Sequence, residues 1–314
     1  MPVKIVLFAF HNTGFDCLDF LLSCPDYEIP LVVTHQPYSD ESVWFESVAD
    51  RAKQSKVPII VCGRDNEEKL LRIFSEIQPD IIISVNYRRK ISMNAVSMAR
   101  IGAFNIHDSL LPHYRGFAPS VWALLRGEAE TGVTLHEIVE EVDMGPIVAQ
   151  RALPILPDDT IRELLARIRT TTLDLIRTSL PLLASEQFER IPQTPGTGFF
   201  MPRRSVKDDY IDWTGTADSI RNFVRAVAPP IAFARTRLGQ HELRIDDAIV
   251  EQGSHGQEFA LPPGTVLDCL SSSTARVQTI DGTIIICFSP VPGGAEKREH
   301  IVLMDVLKPG ECLQ

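Results

Sequence analysis

At 314 residues the chain is too long for one small core and about right for two domains. Hydrophobic residues at 44% and charged residues at 23% exclude a disordered chain. Apolar runs such as Ile5 to Phe10 and Ile284 to Phe288 fall far short of the roughly 20 residues that span a bilayer.

The N-terminus passes from Met-Pro-Val-Lys straight into an apolar run and then to His11, Asn12 and Gly14, with no small-residue cleavage site. This reads as a first strand, Val3 to Phe10, rather than a signal peptide, and predicts a cytoplasmic protein without membrane contact. Phe15 to Leu22 reads as a short helix, Ile29 to Thr34 as a second strand, Glu41 to Gln54 as a polar-faced helix and Val57 to Val61 as a third strand. Asn66 to Ile77 carries Leu70, Leu71, Ile73, Phe74 and Ile77 on a helical stripe. Asp80 to Val85 and Ala103 to His107 complete a set of nearly continuous apolar strands. Such strands separated by helices predict an α/β, Rossmann-like parallel sheet covered on both faces. The turn after the first strand holds no G-x-G-x-x-G, and no phosphate loop occurs, so a dinucleotide-dependent dehydrogenase loses its support.

Thr160 to Leu180 reads as the longest helix, with Asp158 and Asp159 at its start and Pro181 set to end or kink it. Pro192, Pro195, Gly196, Gly198 and Pro202 then punctuate a linker. A helix, Ala217 to Val227, is followed by short strands at 232–237, 242–249, 264–268, 276–280 and 283–288, which predict a small β-barrel resembling an OB-fold. The expected division is a catalytic domain over 1–190, a linker over 191–206 and a barrel domain over 207–314. Six scattered cysteines, with no C-x-x-C pair and no histidine at zinc spacing, predict neither a disulfide framework nor a metal; Cys62 and Cys287 read as buried thiols.

The informative segment runs from Gly102 to Gln150. Asn105 and His107 are two apart at a strand end and therefore share one face, where ligands of open α/β sheets bind. The loop Ser109-Leu110-Leu111-Pro112-His113-Tyr114-Arg115-Gly116 follows, and Asp143 stands just before Gly145 and Pro146. These residue types suit transfer of a one-carbon acyl group to an amine. The attacking amine must lose a proton and the leaving nitrogen must gain one, which a histidine can relay. An asparagine amide can donate a hydrogen bond to the developing oxyanion, worth about 3 kcal/mol. An aspartate beside the histidine can hold its orientation and favour its charged form.

The N-x-H pair, the S-L-L-P-x-Y-R-G loop and the later D-x-G resemble the 10-formyltetrahydrofolate-dependent formyltransferase family. The resemblance extends to Thr34-His35, Tyr87-Arg88, Glu130 to His136, Ile147 to Gln150, Pro157-Asp158-Asp159, Arg203-Arg204 and Val224 to Val227, over nearly all of residues 1 to 310. Within the family the chain looks most like the half of a bifunctional enzyme that formylates UDP-4-amino-4-deoxy-L-arabinose. It ends before that enzyme's second half would begin.

The resemblance implies that Asn105, His107 and Asp143 are catalytic and that N10-formyltetrahydrofolate is the co-substrate. It implies a folate pocket built largely from backbone at Tyr87, Arg88, Arg89, Lys90 and Ile91, and at Val139, Glu140, Glu141 and Val142. Substrate contacts are expected from His11, Ser109, Tyr114, Arg115, Gly116 and Arg204. For Arg115 the alternative is a loop-anchoring ion pair; for Arg204 it is an ion pair to Asp208, Asp209 or Asp212. The implied acceptor is a nucleotide-linked amino sugar, either UDP-4-amino-4-deoxy-L-arabinose-like or a dTDP-4-amino sugar, and there is room for a homo-oligomer. Asp108 departs from the family, which has a small residue beside the histidine.

Methionyl-tRNA formylation is the runner-up. It would need a basic second domain, yet residues 201 to 314 hold 12 Lys and Arg against 15 Asp and Glu. A folate- or sugar-nucleotide-binding module without turnover is the alternative of another class, and the intact polar trio argues against it.

Overall fold

A computed structural model describes residues 2–39, 41–61, 67–251, 261–289 and 307–314. Two compact units emerge: one holds residues 1–119, 130–154 and 165–202, the other 120–129, 155–164 and 203–314. The segment 191–202, read as linker, is thus an integral part of the first unit.

The first unit alternates strand and helix: β1 (Val3–Ala9), α1 (His11–Ser23), β2 (Tyr27–Thr34), α2 (Val48–Gln54), β3 (Ile59–Val61), α3 (Glu67–Ile77), β4 (Ile81–Val85), α4 (Met93–Val96) and β5 (Gly102–His107). The short β6 (Arg115–Gly116) follows; α5 (Pro119–Leu125) falls in the second unit after its first residue; then come β7 (Glu130–Glu137), β8 (Ile147–Pro154), the long α6 (Ile161–Ala184), whose first four residues also fall in the second unit, and β9 (Phe200–Met201). Strands β1 and β4 are buried on both faces, as their apolar runs require of central parallel strands.

The sheet order is β3-β2-β1-β4-β5-β7-β8, parallel through β5 and antiparallel thereafter. The last two strands went unread in the sequence, and they make the sheet mixed. Order reverses between β1 and β4, so the carboxyl ends of β1, β4 and β5 open onto a natural ligand crevice. On one face Val6, Phe8, Leu31, Val33 and Ile82 pack with Leu70 and Phe74 of α3 and with Ala95. On α1, the buried Cys17, Leu18 and Leu21 form the inward stripe. Gly14 lets that helix approach β1, since a Cβ there would lie 3.0 Å from the Cβ of Ala9.

Three helix boundaries differ most from the sequence reading. Helix α1 starts at His11, directly after the strand. Helix α2 starts only at Val48, where Ser47 caps it by accepting from the Asp50 N–H at 3.1 Å. Helix α6 runs past Pro181 to Ala184, and the Ser185 N–H still donates to the Pro181 carbonyl at 3.1 Å. Asn66 and Cys62 lie outside the described residues. Cys287 is half-buried and free.

The second unit contains α7 (Ala217–Ala226) and β10 (Ala234–Leu238), β11 (His241–Val250), β12 (Val266–Ser271), β13 (Thr274–Gln278) and β14 (Thr283–Ser289). The strands pair antiparallel in the order β10-β11-β14-β13-β12 around a core that includes Trp213, Ile220, Val224, Leu243, Val266 and Ile284. Residues 311–314 close the ring. Gln314 exchanges backbone bonds with Arg237 beside β10, at 2.7 and 2.8 Å. Glu311 and Leu313 bond to Val266 and Gly264 beside β12, at 2.8 and 2.9 Å. The expected barrel is therefore completed by the last residues rather than by direct pairing of β10 with β12. Among the described residues no helix is long and apolar enough to cross a membrane.

Candidate active site

Asn105 and His107 occupy alternate positions at the end of β5, while Ile106 between them is buried on the opposite face. Across the β5–β7 ladder Asn105 sits directly opposite His136, and such a pair brings side chains into contact. The Asn105 Nδ2 lies 3.2 Å from the His136 Nε2. The other ring nitrogen of His136, Nδ1, donates to the Glu137 carbonyl at 2.9 Å. That fixes the proton on Nδ1 in the neutral ring and leaves Nε2 to accept from the Asn105 amide.

His107 is buried, and its Nε2 donates to the Tyr114 carbonyl at 2.8 Å. The neutral imidazole therefore carries its lone pair on Nδ1. This atom faces the Asp143 Oδ2 at 3.7 Å, and the His136 Nε2 faces the Asp143 Oδ1 at 3.6 Å. A single carboxylate thus stands between two imidazoles. Its Oδ2 also accepts from the Gly116 N–H at 2.8 Å. Burial alone would push the Asp143 carboxyl up. The His107 and His136 imidazoles in their protonated forms, with the Gly116 N–H, outweigh burial and hold it well below the usual carboxylate range.

The loop from Ser109 to Gly116 is tied down from beneath. The Thr134 hydroxyl donates to the Ser109 carbonyl at 2.6 Å, and the Gln150 amide donates to both the Leu111 carbonyl and Thr134, each at 2.9 Å. Tyr114 and Gly116 take left-handed backbone angles, φ 58° and 93°. Among the expected substrate contacts, Ser109 is fully buried and its hydroxyl closes the loop onto the His113 carbonyl at 2.7 Å. The Tyr114 ring is likewise buried, with its edge to Phe199. Both side chains are engaged within the fold, and the backbone of Tyr114 and Gly116 meets His107 and Asp143. Arg115 contacts the Met144 sulfur, its Nη2 donates to the Thr197 carbonyl at 3.5 Å, and its buried Nε finds no partner. No carboxylate pairs with it, so the loop-anchoring ion pair is absent among the described residues.

The expected folate stretches lie side by side, bridged by an ion pair between Lys90 and Glu140 at 2.5 Å. Between β4 and α4, and after β7, the backbone leaves the sheet ladder. Ile91 is buried, and Val142 is 46% exposed. Val139 is half-buried and Glu141 exposed; Arg89 is engaged in the fold. Two side chains are committed elsewhere. Tyr87 stacks on His35 at 4.2 Å, and the Arg88 guanidinium pairs with Glu41 while lying 4.3 Å over the Phe10 ring.

His11 packs between Trp44 and Phe45, each 4.3 Å away. Burial, and then Arg88, push its imidazole down to about 4, so it is neutral at physiological pH. Arg204 lies in the second unit, ion-paired to Asp209 at 3.3 Å and 5.7 Å over the Trp122 ring. That is the ion-pair alternative weighed for it from sequence.

Asp108 follows His107, and its charge bears on the buried thiol of Cys17 in α1. Its Oδ1 is sealed off without a hydrogen-bond partner among the described residues, and burial pushes the carboxyl up to about 6 against the opposing pull of His107.

Two residues escaped the sequence reading. His136 appeared only as a point of resemblance; the alternation in Val133-Thr134-Leu135-His136 marks a strand that would have set it opposite Asn105. Gln193 sits in the presumed linker, and its Nε2 donates to the carbonyls of Asp143 and Gly145, each at 2.8 Å. No local signal in the sequence points to it.

Among the described residues no group of three His, Cys, Asp or Glu side chains is arranged to hold a metal. Comparison with known proteins gives two matches to family profiles: formyl transferase over residues 34–179 and the formyl transferase C-terminal domain over 204–290, together about three-quarters of the chain. Among solved structures, the sugar 3N-formyl transferase WlaRD, in the presence of dTDP and 5-N-formyl-THF, is similar with a TM-score of 0.68 and 20% identity; the match covers 92% of this chain and 98% of that one. The N-formyltransferase from Helicobacter canadensis, in complex with folinic acid and dTDP-3-aminofucose, gives 0.69 and 21%, covering 91% and 99%. Phosphoribosylglycinamide formyltransferase from Bacillus halodurans gives 0.50 and 26%, covering 58% and 96%.

Proposed function

We propose that this chain, a member of the formyl transferase family by the two domains it carries, moves the formyl group of N10-formyltetrahydrofolate to the amine of a nucleotide-linked amino sugar. One observation carries the chemistry: Asn105, His107 and Asp143, the last distant in sequence, converge with His136 at the carboxyl end of β5. The acceptor class is supported by the similar structures that hold dTDP or dTDP-3-aminofucose, and the donor by those that hold a formylated folate. A UDP-4-amino-4-deoxy-L-arabinose-like acceptor and a dTDP-linked one both fit this reading.

Backbone peptide groups at Tyr87–Ile91 and Val139–Val142 would hold the folate. The folate supplies its formyl carbon, activated on nitrogen, to the attacking amine. The second Nδ2 hydrogen of Asn105, the first being spent on His136, donates to the oxygen that gains negative charge at that carbon. His107 receives the amine's proton at Nδ1, because its Nε2 is held by the Tyr114 carbonyl. The proton then returns from Nδ1 to the departing nitrogen. The Asp143 carboxylate, kept ionised by its surroundings, stabilises the imidazolium between the two transfers. The experiment is direct: incubate the protein with 10-formyltetrahydrofolate and dTDP-3-aminofucose, UDP-4-amino-4-deoxy-L-arabinose or a dTDP-4-amino sugar. A sugar nucleotide heavier by one formyl group, released with tetrahydrofolate, is expected. Consumption of the folate with release of free formate alone would refute the transferase reading.

A further inference from the structure

The segment from Ile191 to Met201 is threaded between the two halves of the site. Ile191 and Ile147 exchange backbone hydrogen bonds, both 2.8 Å. Gly198, at φ 68°, is backed so closely onto the Ser109–Gly116 loop that a Cβ there would lie 1.9 Å from the Pro112 carbonyl oxygen. The Phe199 ring meets Tyr114 at 4.6 Å, and β9 pairs in parallel with β6. One strap therefore touches the loop that supplies the Tyr114 carbonyl and the Gly116 N–H, and also the turn that carries Asp143.

Gln193 is where the strap meets that turn. Both hydrogens of its amide are spent, one on the Asp143 carbonyl and one on the Gly145 carbonyl. The flipped amide would set its oxygen against two carbonyl oxygens, so the orientation is fixed. The side chain is buried, and its Oε1 finds no partner among the described residues. Leaving a buried acceptor unmatched costs the fold stability. Asp143 itself stands at φ 57°, a left-handed conformation disfavoured for any residue but glycine. Gly145 cannot be replaced to stiffen the turn, since a Cβ would lie 1.8 Å from the Glu137 carbonyl oxygen. A strained turn is thus pinned on both sides of Met144 by a single amide.

We propose that Gln193 is a positioning residue for Asp143. Its amide clamps the turn in the one conformation that presents the carboxylate to His107 and His136. The inference rests on Asp143 acting in formyl transfer, and it deepens that reading by making the strap part of the catalytic apparatus. Displacement of a reacting group by about 1 Å can cost up to about 100-fold in rate, so the clamp acts on kcat.

The test uses Gln193→Met, which keeps the packing and removes both donors, and Gln193→Glu, which keeps size and polarity and replaces donors by acceptors. Asp143→Asn is the reference. Crystal structures of wild type and each Gln193 variant are compared, and kcat and KM are measured with 10-formyltetrahydrofolate and the two acceptors dTDP-3-aminofucose and UDP-4-amino-4-deoxy-L-arabinose. The expected result is a shift of the Asp143 carboxylate by about 1 Å with kcat about 10- to 100-fold lower and both KM values within about threefold of wild type. An Asp143 that superposes on wild type in either folded variant, or an unchanged kcat, overturns the proposal. Wild-type turnover by Asp143→Asn would sink the catalytic reading instead; the Asp143 position in the Gln193 variants then still decides whether the clamp exists. If Gln193→Met does not fold, Gln193→Glu carries both measurements.

Discussion

Replacing Asp108 by asparagine should stabilise the first unit at pH 8 and destabilise it by about 1 kcal/mol at pH 4. The charged group that bears on this carboxyl is His107 beside it, and the carboxyl in turn bears on the Cys17 thiol of α1. No group among the described residues hydrogen-bonds the buried Oδ1, so desolvation dominates and the carboxyl is pushed up to about 6 from 3.8. A carboxyl raised on folding leaves the folded state holding more protons than the unfolded chain between those two values. Stability is therefore undiminished below pH 4 and falls as pH rises through 6. A rise of about two units corresponds to a loss of about 3 kcal/mol. Asparagine removes this titration but buries an amide in exchange, which returns about 1 kcal/mol of the gain. The net expectation at pH 8 is about 2 kcal/mol, or an unfolding midpoint higher by about 4–8 °C for a unit of this size. Calorimetry of wild type and variant at both pH values isolates the effect, because every other titration cancels in the difference. A difference in midpoint that is the same at pH 4 and pH 8 would refute the assignment of a neutral, buried acid at this position.

His107→Ala and Asp143→Asn should each lower kcat by about 100- to 10,000-fold while retaining the wild-type circular dichroism spectrum; near-wild-type turnover by either contradicts the proton relay. His136→Ala frees the Asn105 amide from its partner and should reduce kcat about tenfold with little change in the folate KM, whereas His136→Gln, which can still accept from Asn105, should recover part of the loss. Trp213→Phe removes the buried indole bond to the Thr236 hydroxyl at 2.9 Å and should cost the second unit about 1 kcal/mol, read as a lower urea midpoint for that unit alone.

The sequence carried the parallel half of the sheet well, because central strands such as Ile81–Val85 are apolar on both faces and their pattern has no competitor. It carried Asn105 and His107 for a related reason: alternation at a strand end forces both onto the ligand side. Strands β7 and β8 were harder to read. Glu130–Glu137, although inside the sheet between β5 and β8, mixes Thr, Gly and His with Val and Leu and so lacks the continuous apolar signal. The prolines and glycines of 191–202 were read as interdomain punctuation. Here Gly198 serves close approach to Pro112, and the irregular backbone lets Gln193 reach Asp143. Composition reports irregular backbone, but whether that backbone is a tether or a strap depends on what it packs against. Arg88 shows the converse limit, since an arginine after a strand end looks ready for a ligand until Glu41, 47 residues away, is found to occupy it.

Read through its hydrogen bonds, the Ser109–Gly116 loop works by its backbone. Tyr114 in the left-handed region turns its carbonyl onto the His107 Nε2, which in the proposed mechanism decides the nitrogen left for proton transfer. Gly116, also left-handed, aims its N–H at the Asp143 Oδ2, and any side chain there would meet the Met201 carbonyl at 2.5 Å. Burying a carboxylate costs several kcal/mol unless it is hydrogen-bonded and paired. Here the Gly116 N–H, together with the two imidazoles when they are protonated, offsets that cost, and in the proposed mechanism the same groups direct the proton. Stability of the charge and the chemistry of the site are therefore one arrangement. A loop substitution that spares every side chain in the polar trio, such as Gly116→Ala, should disable both together: the carboxylate loses its donor, β6 is pushed from β9, and His107 loses its fixed tautomer as Tyr114 moves with the loop.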